Sequence, residues 1–172
     1  MHVLTGAPGT GKTTLLRLLG DDVVTVDEPA REILAERRAG GDDSQIEAAE
    51  FVPLLLQRSI EKYEAHSGLP QTVFDRGIPD CAAYAWHLGV DASDAVDAAG
   101  RYRHAEPVVL LTPWEDIYTT DDERTMGFDL VEVFHGHLVR AYASTGYDLV
   151  EAPRGSIEER VRFIRSVLDQ AV

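Results

Sequence analysis

Nine residues near the start of this 172-residue chain constrain it more than any others: Gly6-Ala7-Pro8-Gly9-Thr10-Gly11-Lys12-Thr13-Thr14. They satisfy G-x-x-x-x-G-K-[ST] in full. Glycine-rich turns of this kind aim backbone N–H groups inward, and the lysine adds a point charge, so the segment reads as a cradle for nucleotide phosphates. The flanks agree. A short strand over 2–5 precedes the loop and a helix over 12–19 follows it, which places a triphosphate at a helix N-terminus. A bare glycine-rich turn would not also need Lys12 and Thr13 at these offsets. The chain has only two lysines, Lys12 and Lys62, and otherwise draws its positive charge from arginine. Keeping a lysine here points to a need for a slim ammonium group.

The rest of the chain alternates strand and helix. Strands are predicted over 23–26, 71–75, 107–111 and 148–151. Helices are predicted over 29–38, 79–88, 92–102, 128–144 and 156–168. A longer helical stretch covers 44–66, where Pro53 either kinks the helix or divides it. Strands separated by helices imply a parallel sheet covered on both faces, with ligands at the carboxyl ends of the strands. The length suits one domain over 1–172. No apolar run is long enough to span a membrane. The first strand begins at Met1, read here as leaving no room for a leader. A single cysteine, Cys81, rules out an internal disulfide. These features together suggest a cytoplasmic protein. A net charge of −14 disfavours nucleic acid and anionic membranes as partners.

The polar motifs fall at strand ends. Asp75 closes the third strand. A carboxylate there reads either as a helix cap or, opposite the Thr13 hydroxyl, as a holder of the water shell of Mg²⁺; the cradle favours the metal. Arg76 follows, and either grips an acceptor or phosphate in bidentate fashion or pairs with a neighbouring carboxylate. After the second strand comes Asp27-Glu28-Pro29-Ala30-Arg31. Asp27 is read as the helix cap and Glu28 as a general base for an acceptor hydroxyl, with Arg31 in the same turn. Residues 113–127 read as a lid over the phosphates, with Arg124 supplying transition-state charge, or else as a plain surface loop. Arg154, after the last strand, lies either where a nucleotide base can rest against the backbone or in a plain strand–helix turn. Trp86 and Trp114 are read as packing residues.

Several stretches resemble a known family: Gly6 to Thr14, Glu28-Pro29-Ala30-Arg31-Glu32, Phe74-Asp75-Arg76-Gly77-Ile78-Pro79-Asp80, Pro113-Trp114-Glu115-Asp116-Ile117-Tyr118, Asp122-Glu123-Arg124 and Pro153-Arg154-Gly155-Ser156-Ile157-Glu158-Glu159-Arg160. They are similar to the P-loop ATPases and kinases, often labelled AAA family ATPase, that group with the ribosylnicotinamide kinase domain of bacterial NAD-biosynthesis regulators. The resemblance implies an α/β nucleoside/nucleotide-kinase-like fold with a five-stranded parallel sheet in the order 2-3-1-4-5. It also implies ATP, or GTP, with Mg²⁺. Two functions follow. One is a kinase acting on a small-molecule, nucleoside-like hydroxyl. The other is a nucleotide-binding switch or slow ATPase or GTPase working through a protein partner.

Overall fold

The computed structural model describes residues 1–42, 44–69, 71–118 and 127–170. Five strands form one parallel sheet: β1 (His2–Gly6), β2 (Val24–Val26), β3 (Thr72–Asp75), β4 (Val108–Leu111) and β5 (Leu149–Glu151). Their order is β2-β3-β1-β4-β5, as the resemblance implied. The helices are α1 (Lys12–Arg17), α2 (Pro29–Ala39), α3 (Ala48–Ala65), α4 (Pro79–Leu88), α5 (Ser93–Arg101), α6 (Phe128–Ser144) and α7 (Ile157–Gln170), with a 3₁₀ turn at Glu115–Ile117.

The three central strands β1, β3 and β4 are buried along their whole length, as central strands of a doubly covered sheet should be, with polar residues such as Thr5, Thr72 and Asp75 at or near their ends. Successive side chains alternate between the two faces. Leu4, Val73 and Val109 pack with Leu15, Leu16, Ile164 and Leu168 of α1 and α7. Their neighbours Val3, Phe74 and Val108 pack on the other side with Tyr142 of α6 and with Tyr147. That second face is deepened by α2 to α6, through Ile33, Phe51, Leu55, Ala82, Phe134 and Leu138.

Two expectations need adjusting. The helix after the cradle was expected over 12–19, but α1 stops at Arg17, and Leu18 and Leu19 continue as a turn that buries Leu19. Pro53 does not divide the next helical stretch. It sits within a single helix, α3, that begins at Ala48 rather than at residue 44. There its missing N–H removes one early bond without stopping the helix.

β1 lies between β3 and β4, with Leu4 opposite Asp75 and Gly6 opposite Leu111. The strand order reverses at this point, and a crevice opens at the carboxyl ends. The cradle therefore emerges at the switch point, with the end of β3 on one side and the end of β4 on the other.

Candidate nucleotide and acceptor site

The cradle is built tightly enough to exclude side chains. Gly6 has φ +154°, and a Cβ there would come within 2.5 Å of the Leu111 carbonyl oxygen. Gly9 has φ +80°, and a Cβ there would meet the Tyr118 ring at 2.5 Å. Thr10 Oγ1 donates to the Ala7 carbonyl at 2.8 Å, which closes the loop on itself. Lys12 is buried, and its Nζ donates to the Gly6 carbonyl at 2.9 Å. Burial lowers its pKa to about 8, and the nearby Arg76 charge adds to this, against the pull of Asp75, Glu28 and Asp80. The ammonium is thus held inside the loop, poorly solvated, where phosphate oxygens would bring it an anionic partner.

One brace of the cradle closes a stretch of the family resemblance, yet the sequence assigns it no role. Arg160 of α7 is buried, and its Nη2 donates to the Thr10 carbonyl at 2.8 Å across 150 residues. The signal was present in the helix pattern. Arg160 shares its inward stripe with Ile164, Val167 and Leu168, and an arginine on an apolar stripe requires a polar partner inside.

Asp75 is buried at the end of β3, and its Oδ1 has no hydrogen-bond partner. Burial raises its pKa, and the Glu28 charge adds to this, while Lys12 and Arg76 oppose it. A buried carboxylate oxygen without a donor fits a role toward a hydrated cation.

Arg76 answers the choice left open for it among the described residues. Its φ of 77° turns the backbone into the left-handed region. The side chain tucks inward, with Nε on Glu28 Oε1 at 2.6 Å and Nη1 on Asp80 Oδ1 at 2.9 Å. The same guanidinium lies 5.5 Å from the ring centres of Tyr84 and Phe134. Its fork is therefore occupied by two carboxylates. Asp80 is fixed in turn by Thr5 Oγ1 at 2.8 Å, the Gly77 N–H at 3.0 Å and Tyr142 OH at 2.5 Å.

Glu28, not Asp27, occupies the N-cap position of α2, and its side chain makes no capping bond. The carboxylate instead accepts from Arg76, from Arg31 Nε at 3.0 Å and from Tyr84 OH at 3.2 Å. Burial alone would raise its pKa, but Arg76, Lys12 and Arg31 outweigh that and hold it at about 2. Asp27 is exposed, and its carbonyl accepts from Lys62 Nζ at 2.7 Å.

Two clefts meet at the cradle. One, of about 400 Å³, is lined by Gly11, Thr13, Thr14, Trp114, Ser156 and Arg160 among others. The other, of about 370 Å³, is lined by Pro8, Glu28, Leu34, Arg38, Arg76 and Tyr84 among others. Gly9, Lys12 and Arg31 line both. A larger hollow of about 590 Å³, between α3 and the start of α5, lies away from all of these residues, so volume does not locate the chemistry here.

The remaining expectations divide. Trp114 is not a packing residue: it lines the first cleft, with Nε1 donating to Asp116 Oδ2 at 2.9 Å. Trp86 does pack against the core, under the Arg140 guanidinium at 4.1 Å. Arg154 points to the Pro113 carbonyl at 3.0 Å, and its neighbours Gly155 and Ser156 line the cleft instead. The start of the expected lid, the turn Glu115–Ile117, places Ile117 beside the cradle. Arg124 lies outside the described residues.

A family model described as AAA domain matches residues 1–160. No curated protein sequence matches the chain. Among solved structures, a NadR protein in complex with NR is similar at 19% identity, with a TM-score of 0.69, over 99% of this chain and 50% of that one. This chain therefore spans half the length of that protein. A deoxyadenosine kinase from M. mycoides with bound dATP is similar at 13% identity and TM-score 0.69, over 98% of this chain and 100% of that one. A thymidylate kinase from Ehrlichia chaffeensis follows at 15% identity and TM-score 0.66, over 97% and 98%. These likenesses establish a P-loop kinase-like fold.

Proposed function

We propose that the chain, which belongs to the AAA domain family, is a Mg²⁺-dependent kinase that transfers the γ-phosphoryl group of ATP to a hydroxyl of a small, nucleoside-like acceptor. The observation that carries this reading is the second cleft. A nucleotide-binding switch needs one pocket; here two meet at the cradle, joined at Gly9, Lys12 and Arg31, with a carboxylate in the wall of the second. The named solved relatives, a deoxyadenosine kinase and a thymidylate kinase among them, support the same reading.

ATP is placed with its phosphates in the cradle. There Lys12 exchanges the Gly6 carbonyl for β- and γ-phosphate oxygens, and Trp114 and Ser156 flank the rest of the nucleotide. Thr13 and Asp75 are the residues that would hold Mg²⁺, directly or through its waters; when bound, the ion neutralises charge on the β- and γ-phosphates. The acceptor oxygen attacks the γ-phosphorus, the bond to the bridging oxygen breaks, and ADP leaves. Glu28 accepts the hydroxyl's hydrogen bond and then its proton. Held at about 2, Glu28 is a weak base and is fully ionised at neutral pH. Its contribution is chiefly to orient the hydroxyl, which suits a loose transition state that asks for little proton removal before transfer. Arg31, shared by both clefts, faces the phosphoryl group in transit.

The test is ADP release by the purified chain with ATP and Mg²⁺, across a panel of nucleosides, against an acceptor-free blank. Acceptor-dependent release is expected. A slow release that no acceptor changes would favour the ATPase or switch reading instead.

Asp75→Asn is expected to leave the fold intact and to reduce the Mg²⁺ dependence of nucleotide affinity by about tenfold or more, as loss of a group that orients metal-bound water does. Affinity with Mg²⁺ against affinity with EDTA measures it. Equal metal dependence in both proteins would leave Asp75 a structural residue.

A further inference from the structure

The second cleft is positively charged in a chain that is strongly negative. Lys12, Arg31, Arg38 and Arg76 line it, against the single carboxylate of Glu28, whereas the whole chain carries 30 acidic residues to 16 basic ones. The four cations are not equivalent. Arg76 is consumed by Glu28 and Asp80. Lys12 belongs to the cradle. Arg31 gives its Nε to Glu28, and its side chain is 53% exposed. The Arg38 side chain has no hydrogen bond or ion pair among the described residues, its carbonyl accepting from the Gly41 N–H in the turn that follows. Its neighbour Arg37 turns the other way and pairs with Asp42 and Glu50.

The helix explains the arrangement. Residues 31, 34, 35 and 38 recur at helical spacing, so α2 presents Arg31, Leu34, Ala35 and Arg38 as one wall of the cleft. Arg31 also borders the first cleft and so marks the end at which the kinase reading sets phosphoryl transfer. Arg38 lines only the second cleft, two turns or about 10 Å further along the helix axis. Between them lie the apolar Leu34 and Ala35.

We infer that the acceptor carries an anionic group, a phosphate or a carboxylate, at the end remote from its accepting hydroxyl, and that Arg38 binds it. This inference rests on the kinase reading and names the substrate class of that site. A guanidinium with no acid partner in an acidic protein offers a planar fork that matches either anion in bidentate fashion. Leu34 and Ala35 would underlie the uncharged middle of such a molecule.

The test uses matched pairs that differ by one charge: nucleosides against their 3′-monophosphates, and sugar acids against the corresponding amides. The two sets separate a phosphate from a carboxylate as the anion. Binding is measured by calorimetry with a non-hydrolysable ATP analogue and Mg²⁺ present, and turnover by ADP release. In at least one set the wild type is expected to prefer the anionic member by about tenfold or more. Arg38→Ala should bring that ratio close to one, and Arg38→Glu should invert it. Arg38 is exposed, so both variants should fold, and Arg38→Lys should retain part of the preference. A wild-type ratio near one in both sets, or a ratio that survives Arg38→Ala, overturns the anion site. Neutral members phosphorylated as well as their anionic partners overturn it too, and leave the kinase reading standing. Anion-selective binding that depends on Arg38, with no ADP release from any pair, supports the anion site and overturns the kinase reading.

Discussion

Lys12→Ala is expected to lower ATP affinity at least a hundredfold. The side chain would make charge-assisted bonds to two phosphates, and the loss of each removes roughly 1.5–3 kcal/mol. Among the described residues, Arg31 borders the same cleft but is drawn to Glu28 and lies outside the loop, so it does not take the place of the enclosed ammonium. Lys62, the only other lysine, is tied to the Asp27 carbonyl and to Glu32 on the far side of α2. Arg160 is held on the Thr10 carbonyl, and Arg76 is held by its two carboxylates. The ligand-free protein should tolerate the change. Burial already works against the charged form of Lys12, so removing it relieves a desolvated ammonium. The expected result is therefore a split: the melting temperature without ligand is near or above wild type, and the rise on adding ATP and Mg²⁺ is lost. For comparison, ligand at about a hundred times its dissociation constant stabilises a protein by about 2.7 kcal/mol. Calorimetric affinity close to wild type in the variant would overturn the assignment of the cradle.

The sheet was largely legible from local pattern. The runs that became β1, β3 and β4 centre on consecutive apolar residues, Val3-Leu4, Val73-Phe74 and Val108 to Leu111, because both faces are covered, and the cradle is recognised by offsets within nine residues. Strand order came from the resemblance, since local pattern does not say which strands are neighbours. What stayed hidden are partners distant in sequence. Glu28 and Arg76 are 48 residues apart and Arg160 and Thr10 are 150 apart; nothing local pairs them. Arg154 and Arg160 illustrate the difficulty. Both follow β5, and the motif position favoured Arg154. The start of α7 settles the matter differently, because Arg160 falls on the helix stripe of Ile164 and Val167 while Arg154 lies outside the helix on the Pro113 carbonyl. Trp114 was misjudged for a related reason: a large aromatic usually packs inside, but this one follows β4 at the mouth of the crevice, where an aromatic wall suits a nucleotide.

Glu28→Gln should change rate and stability together, and the structure separates the two effects. Glu28 stands at the N-cap of α2 but makes no capping bond, so the cost to the fold comes from the clamp. Glu28 is the buried counter-ion of Arg76, and among the described residues Asp80 is the only other carboxylate bonded to that guanidinium. Gln can still accept one hydrogen bond but supplies no charge, so a loss of roughly 3 kcal/mol is expected, small enough against a typical total of about 5–15 kcal/mol to leave the protein folded. The pH dependence carries the signature. Glu28 has its folded pKa lowered from 4.5 to about 2, so its stabilisation is fully present above the ordinary value and is lost as pH falls through the lowered one. The gap between wild type and variant in denaturant titrations should be widest near neutral pH and should narrow toward pH ~2. The kinetic effect is read at a temperature where both proteins are folded. Acceptor phosphorylation should fall about a hundredfold, the lower end of the usual range for a general base, because a carboxylate held this acidic contributes more by orientation than by basicity. ATP affinity should stay near wild type, since Glu28 lines the second cleft and not the first. A stability loss with an unchanged rate would leave Glu28 as the clamp of Arg76 and nothing more. A rate loss with unchanged stability would mean that the clamp is not formed as described.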